Sequence, residues 1–463
     1  MRSLFALSAR ASAIAAAALL GLLAAGAAHA RPVAPRPPMG WNSWDAYGFT
    51  IDEGQFKANA TILAGLKRFG WTYAVIDEGW YMANPLGDRL ETRGHRLDGF
   101  GRLEPVESRF PSAANGIGLK ALADWTHAQG LKFGLHIVRG IPKTAVAQNL
   151  PIAGSAFHAA EAADRAATCP WDDANDGIAD NAAGQAYYDS LLRQYAGWGV
   201  DFLKVDCIAD HPYRPTEIRQ IAQAISKAGR PMVLSLSPGP AGLANAEEMA
   251  RSAQMWRIAD DLWDGWTFPH PDPSTTFPNG VLSAFDNLAK WNPNVRPDQW
   301  PDADMLPFGA LRPHAGWGGP RESSLTADEA RTALSLWAIA RSPLILGGNL
   351  TAMDPAERAL LVQAEVIALD QRDGASWPVT PKPTVPALAR IWLSRPKGAA
   401  RPDTIALFNL GDTALDLHAP WADLGLPGGR HAVRDLWTGA RLAASAAASV
   451  TIPAHGAVLY RID

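Results

Sequence analysis

Gly199-Val200-Asp201-Phe202-Leu203-Lys204-Val205-Asp206 is the stretch from which the fold can be read. From Phe202 to Asp206 it is a short apolar run that ends in an acid, the pattern of a strand buried on both faces. Side chains two apart on a strand share a face, so Lys204 and Asp206 point the same way. An ammonium beside a carboxylate favours the ionised form, which suits an acid with chemical work to do.

The same pattern recurs on both sides of this run. Short strand-like segments fall at Met39–Trp44, Tyr73–Asp77, Lys132–Ile137, Phe202–Asp206, Met232–Leu236, Gln254–Ile258, Asp304–Phe308 and Leu344–Gly347. Helical patterns separate them. Thr50-Ile51-Asp52-Glu53 reads as a capping box before Phe56, Ala60, Leu63 and Leu66. Thr326-Ala327-Asp328-Glu329 reads as another before Leu334, Trp337 and Ala338, and Gly229 closes the helix of Ile218, Ile221 and Ile225. Eight strands alternating with helices over residues 31–376 predict an α/β fold, a (β/α)8 TIM barrel, with a doubly wound open sheet as the fallback. Two long connections, Tyr81–Ile117 and Gly140–Gln185, leave strand ends on the side where such barrels build their sites.

Composition changes near Trp377. Pro378, Pro381, Pro383 and Pro386 mark a linker at 377–386, and strand-like runs over 387–463 predict a C-terminal antiparallel β-sandwich. At the other end, residues 1–30 read as a signal peptide: Arg2 and Arg10, the small apolar stretch Ala11–Ala28, and Ala28-His29-Ala30 as the cleavage site. An exported protein with no membrane attachment after cleavage is expected. Cys169 and Cys207 are the only two cysteines, and whether they pair is left open by sequence. With 42 Lys+Arg against 46 Asp+Glu, the chain lacks the basic excess of a nucleic-acid binder. The 18 Trp against 8 Tyr suit a cleft that takes sugar rings, although core packing accounts for most single Trp residues.

Acids close several of the predicted strands: Asp77-Glu78 after the second, Asp206 on the fourth, Asp260-Asp261 after the sixth, and Asp302 and Asp304 at the seventh. One such acid is explained as a helix cap; four at the same end of one barrel are not. Converging carboxylates suit glycoside hydrolysis, where one attacks the anomeric carbon and another protonates the leaving oxygen. A metal hydrolase is the alternative, but the 11 His are scattered without metal-ligand spacing, and neither metal nor cofactor is expected.

These residues stand in a recognisable order: Arg36-Pro37-Pro38-Met39-Gly40-Trp41-Asn42-Ser43-Trp44, Ile76-Asp77, Leu131-Lys132-Phe133-Gly134, the segment 199–206, Trp256-Arg257 with Asp261, Trp300-Pro301-Asp302-Ala303-Asp304-Met305-Leu306, and Ser342-Pro343-Leu344. Together they resemble glycoside hydrolase family 27, the α-galactosidase family, over nearly all of residues 31–463. The resemblance implies a retaining double displacement with Asp206 as nucleophile and Asp261 as acid/base, Asp260 being the runner-up. It implies substrate contacts from Trp44, Asp77, Lys204, Arg257 and Asp304, with Glu78, His136 and Ser237 filling positions where this chain departs from the family pattern. Glu78 replaces a usual Asp, and His136 a usual Tyr. Ser235-Leu236-Ser237-Pro238 stands where many α-galactosidases have Cys-Glu-Trp, and Cys207 directly follows the nucleophile position instead of lying two residues beyond it.

The expected activity is an α-galactosidase that releases terminal α-D-galactose from a galactoside or related glycan. A β-L-arabinopyranosidase is the near alternative, because that sugar is α-D-galactose without its hydroxymethyl group. A carbohydrate-binding pseudo-enzyme is the alternative from another class.

Overall fold

The protein is described from a computed structural model that covers residues 32–88, 90–270, 275–312 and 317–462. The segment read as a signal peptide, 1–30, lies outside the described residues. Ala34–Asp463 forms one compact unit.

Eight parallel strands make the N-terminal layer: β1 (Met39–Asn42), β2 (Tyr73–Ile76), β3 (Lys132–Val138), β4 (Phe202–Asp206), β5 (Val233–Leu236), β6 (Met255–Arg257), β7 (Trp300–Asp302) and β8 (Leu344–Leu346). Their order is β7-β6-β5-β4-β3-β2-β1-β8. The ring closes through Leu306, whose N–H donates to the Ile345 carbonyl at 2.7 Å and whose carbonyl accepts from Gly347 N–H at 3.0 Å. That closure excludes the open-sheet fallback. Strand contact is tight enough at β1 that a Cβ on Gly40 would sit 2.1 Å from the Tyr73 carbonyl oxygen.

The seventh strand differs from its expected position at 304–308. Trp300, Pro301 and Asp302 pair with Met255, Trp256 and Arg257. Asp304 then adopts φ +88°, a left-handed conformation that cannot continue a strand, and the apolar run after it closes the ring.

Helices wrap the barrel. α1 (Glu53–Leu66) is capped two residues later than expected: Asp52 accepts from Gln55 N–H and Gln55 accepts from Asp52 N–H. Thr50 lies in a preceding 3₁₀ turn and donates to the Tyr47 carbonyl instead. α2 (Pro215–Ala228) ends at Gly229 with φ +74°. α3 (Ala327–Ala340) starts with the expected Thr326–Glu329 capping box.

Eight antiparallel strands follow: β9 (Gly374–Val379), β10 (Ala389–Pro396), β11 (Thr404–Asn409), β12 (Leu415–Pro420), β13 (His431–Asp435), β14 (Arg441–Ser445), β15 (Ala447–Ile452) and β16 (Ala457–Ile462). One sheet runs β9-β10-β11-β16-β13-β14 and the other is the pair β12-β15. Ile391, Leu393, Ile405, Leu407, Leu417, Trp421 and Ile452 fill the space between them. Trp392, Ala406, Phe408 and Leu459 face the other way and join the barrel's core. Trp437 donates to Ser335 on α3 at 3.0 Å. The segment read as a linker therefore begins inside the sheet, because Trp377–Val379 are ladder residues of β9. Pro378 is tolerated there because β9 is an edge strand with one side unpaired.

Both long connections carry structure of their own. The second contains Ile141–Pro142, Ala163–Asp164 and Asn175–Ile178 as a small sheet, and a Cys169–Cys207 disulfide ties it to the end of β4. Beneath that bond, buried Arg139 donates to the carbonyls of Cys207 (2.6 Å), Ala167 (3.0 Å) and Thr168 (3.1 Å) and to Glu217 Oε1 (2.9 Å). Tyr188 Oη donates to the second Glu217 oxygen at 2.6 Å. Glu217→Ala strands a buried guanidinium, so chemical denaturation should show a loss of about 3–5 kcal/mol. Arg139→Met/Glu217→Leu should recover most of it, and a single variant as stable as wild type would show that the network contributes little.

Candidate active site

Strand register brings the polar residues together. Lys204 on β4 pairs with His136 on β3 and with Ser235 on β5, so the three stand in one row across the barrel. One pleat further on, Asp206 reaches the barrel mouth beside Val138. The mouth holds a cleft of about 460 Å³, with Trp44, Asp77, Glu78, Lys204, Asp206, Ser237 and Asp261 in its walls.

Asp77 is the most heavily bonded of these. Its Oδ2 accepts from Lys204 Nζ at 2.9 Å and Asn42 Nδ2 at 2.7 Å, and its Oδ1 accepts from Glu78 N–H at 2.9 Å. Burial pushes this carboxyl up, but His136, Lys204 and the Glu78 amide more than offset that and hold it well below the usual range. Asp206 is balanced the same way. Burial raises it, while His136 Nε2 at 3.4 Å, the Lys204 charge and Cys207 N–H at 2.8 Å bring it below an ordinary Asp. Lys204 stays charged, because Asp77 and Asp206 outweigh the cost of its burial.

Across the cleft, Arg257 Nη2 donates to Asp261 Oδ1 at 3.1 Å and to Asp304 Oδ2 at 2.8 Å. Asp304 also accepts from Leu262 N–H at 2.7 Å. Burial, with the charges of Asp261 and Asp302 added, pushes Asp304 up to about 7 despite Arg257. Burial likewise raises Asp302 to about 6. Asp260 is engaged elsewhere, by the hydroxyl and backbone N–H of Thr276.

Three residues expected to touch substrate do not reach the cleft surface. His136, Arg257 and Asp304 are all buried, and Arg257 and Asp304 line a small interior cavity below the floor. The reason is their depth: His136 and Arg257 belong to the strands, and Asp304 turns back under the residues that follow Asp261. In this position Arg257 bonds both Asp261 and Asp304, and His136 lies 3.4 Å from Asp206. Conversely, the cleft is also lined by Phe49, Arg93, Trp171, Asp172, His211 and Phe277, none of which the sequence reading singled out. Asp172 is buried, and its charge, after burial itself, is the largest influence that pushes Glu78 well above the usual carboxyl range. The Cys169–Cys207 pairing was the missing signal, since it ties residues near 170 to the end of β4.

A family model described as alpha galactosidase A matches residues 172–372, and one described as its C-terminal beta sandwich domain matches 390–462. A family 27 β-L-arabinopyranosidase from Geobacillus stearothermophilus is 38% identical, with 93% of this chain and 97% of that one covered and a TM-score of 0.85. The chain belongs to glycoside hydrolase family 27. Two further members are more distant. Alpha-galactosidase A of Cellvibrio japonicus is 28% identical over 96% of both chains. Alpha-galactosidase I from Mortierella vinacea is 25% identical, covering 94% of this chain and 98% of its own, with a TM-score of 0.70. Like these relatives, the family 27 protein described here is a glycosidase.

His136→Leu deletes a donor that helps keep Asp206 and Asp77 ionised. Both carboxyls should then protonate at higher pH. The acidic limb of kcat/KM, which reports groups of the free enzyme, should move up. A limb that stays in place while the variant remains folded would show that His136 does not bear on the ionised carboxylates.

Proposed function

We propose that the protein is an exported, retaining exo-glycosidase that releases terminal β-L-arabinopyranose and, less efficiently, α-D-galactose. The observation that carries the sugar assignment is Glu78 in the cleft wall, 6% exposed and next to Asp77. It is one methylene longer than the Asp usual in the family pattern, so it takes up room where a hexose needs space for its hydroxymethyl group. One methylene of misfit is worth roughly 10–200-fold in discrimination. The 38% identity to an arabinopyranosidase, against 28% to an α-galactosidase, points the same way. α-Galactosidase remains the second reading, supported by the two matching family models.

In the proposed reaction Asp206 attacks the anomeric carbon while Asp261 protonates the departing glycosidic oxygen. A glycosyl ester on Asp206 forms, and the leaving group departs as an alcohol. Asp261, now ionised, takes a proton from water, and the resulting attack on the anomeric carbon releases Asp206. Two inversions give net retention. Lys204, His136 and the Cys207 N–H keep Asp206 ionised for the first step. Arg257 holds Asp261 in place at 3.1 Å. Export rests on the 1–30 segment.

Two measurements test this reading. Asp206→Ala should abolish hydrolysis, and added azide should restore part of the turnover of an activated aryl glycoside, giving a glycosyl azide of inverted configuration. Asp261→Ala should lose roughly 10²–10⁴-fold on poor leaving groups and less on activated ones. Near-normal hydrolysis by Asp206→Ala, or an inverted first product from wild type by NMR, would overturn the mechanism. For the sugar, nitrophenyl β-L-arabinopyranoside and α-D-galactopyranoside are compared directly. Glu78→Asp should raise the galactoside-to-arabinopyranoside ratio by roughly tenfold or more. An unchanged ratio, in an enzyme that already prefers galactose, would establish the second reading instead.

A further inference from the structure

Among the residues that line the cleft, Asp77 is buried and bonded to Lys204 at 2.9 Å, while Trp171 and Phe277 are exposed, so the Asp77 end is the deep one. A terminal sugar whose anomeric carbon meets Asp206 therefore fills the closed end, and its leaving group lies at the open rim. Two aromatic rings at that rim are exposed, Trp171 by 47% and Phe277 by 38%, in a chain that buries most of its Trp. Exposed rings beside a binding cleft mark a contact surface.

Both rings are anchored to the catalytic carboxylates' immediate neighbours. Trp171 lies two residues after Cys169, which is bonded to Cys207, the residue after Asp206. Its ring meets His211 edge to face, with centroids 6.1 Å apart. Phe277 follows Thr276, whose hydroxyl and N–H both donate to Asp260, the residue before Asp261. Each rim ring is thereby fixed relative to one of the two carboxylates between which the scissile bond must lie.

We propose that Trp171, with Phe277, forms the leaving-group subsite, which takes the apolar face of a neutral ring, namely the next sugar of a glycan. Asp260 and Asp261 line the cleft beside Phe277, and their charge disfavours an anionic leaving group there. The inference rests on the exo-glycosidase reading above and deepens it by naming what the terminal sugar is attached to.

The test uses the full-length enzyme and three substrates of the sugar that wild type cleaves best: a glycosyl fluoride, a nitrophenyl glycoside, and a disaccharide with that sugar at its non-reducing end. Trp171→Ala should lose roughly 3- to 10-fold in kcat/KM on the nitrophenyl glycoside and the disaccharide, mostly through KM. The loss on the fluoride should be clearly smaller, and the inhibition constant of the free monosaccharide should move least. Trp171→Phe should recover most of the loss. Equal losses on all three substrates would overturn the proposal in favour of a structural role for Trp171, and no loss on any would show that the rim makes no productive contact. If wild type cleaves neither the arabinopyranoside nor the galactoside, the sugar reading fails in that first screen. The Trp171 comparison then decides the subsite on whichever glycoside is cleaved.

Discussion

The Lys204 ammonium is the charge around which the site is built. A barrel mouth that gathers Asp77, Glu78 and Asp206 in the walls of one cleft is electrostatically unstable unless a cation sits among them. Lys204 supplies it from inside β4, bonded to Asp77 at 2.9 Å and two residues below Asp206. Its own burial is unfavourable, and the two carboxylates offset that cost by keeping it charged. The arrangement is mutual: removing either sign would leave the other stranded in a poorly solvated interior.

The second cation divides the acids into two populations. Around Lys204 and His136, Asp77 and Asp206 are held below the normal carboxyl range. Around Arg257, Asp302 and Asp304 are raised towards neutrality, because a single guanidinium does not compensate several buried acids. Glu78 departs from the first group: burial and the charge of Asp172 push it well above the usual carboxyl range, although it adjoins Asp77.

The connection after β3 is tied to the barrel at several points. Arg139 gathers three backbone carbonyls and Glu217 beneath the Cys169–Cys207 bond, so the connection after β3 is held against the end of β4 by both covalent and polar ties. Asp172 and Trp171 are carried to the cleft by this connection. The C-terminal sandwich contributes differently. Its Trp392 and Phe408 extend the barrel's core beside α3, and none of its described residues lines the cleft.

Periodicity was enough to read the barrel and the sandwich from sequence, because each element is a local pattern of a few residues; strand ends pointed to Asp77, Asp206 and the pair Asp260-Asp261, and only the resemblance to the family preferred Asp261. Sequence misplaced the seventh strand, since the left-handed turn at Asp304 is a tertiary requirement of ring closure and has no glycine to announce it. It also mistook β9 for a linker, because prolines are compatible with a sheet edge and only pairing with β10 reveals the strand. Depth was not legible either: His136, Arg257 and Asp304 carry the right chemistry, but only the packed barrel shows that all three are buried and absent from the cleft lining. The same holds for Trp171 and Asp172. Both belong to a long connection tied down by a disulfide and by Arg139, and a bond between residues 38 apart is decided by the folded chain and not by the pattern around either cysteine.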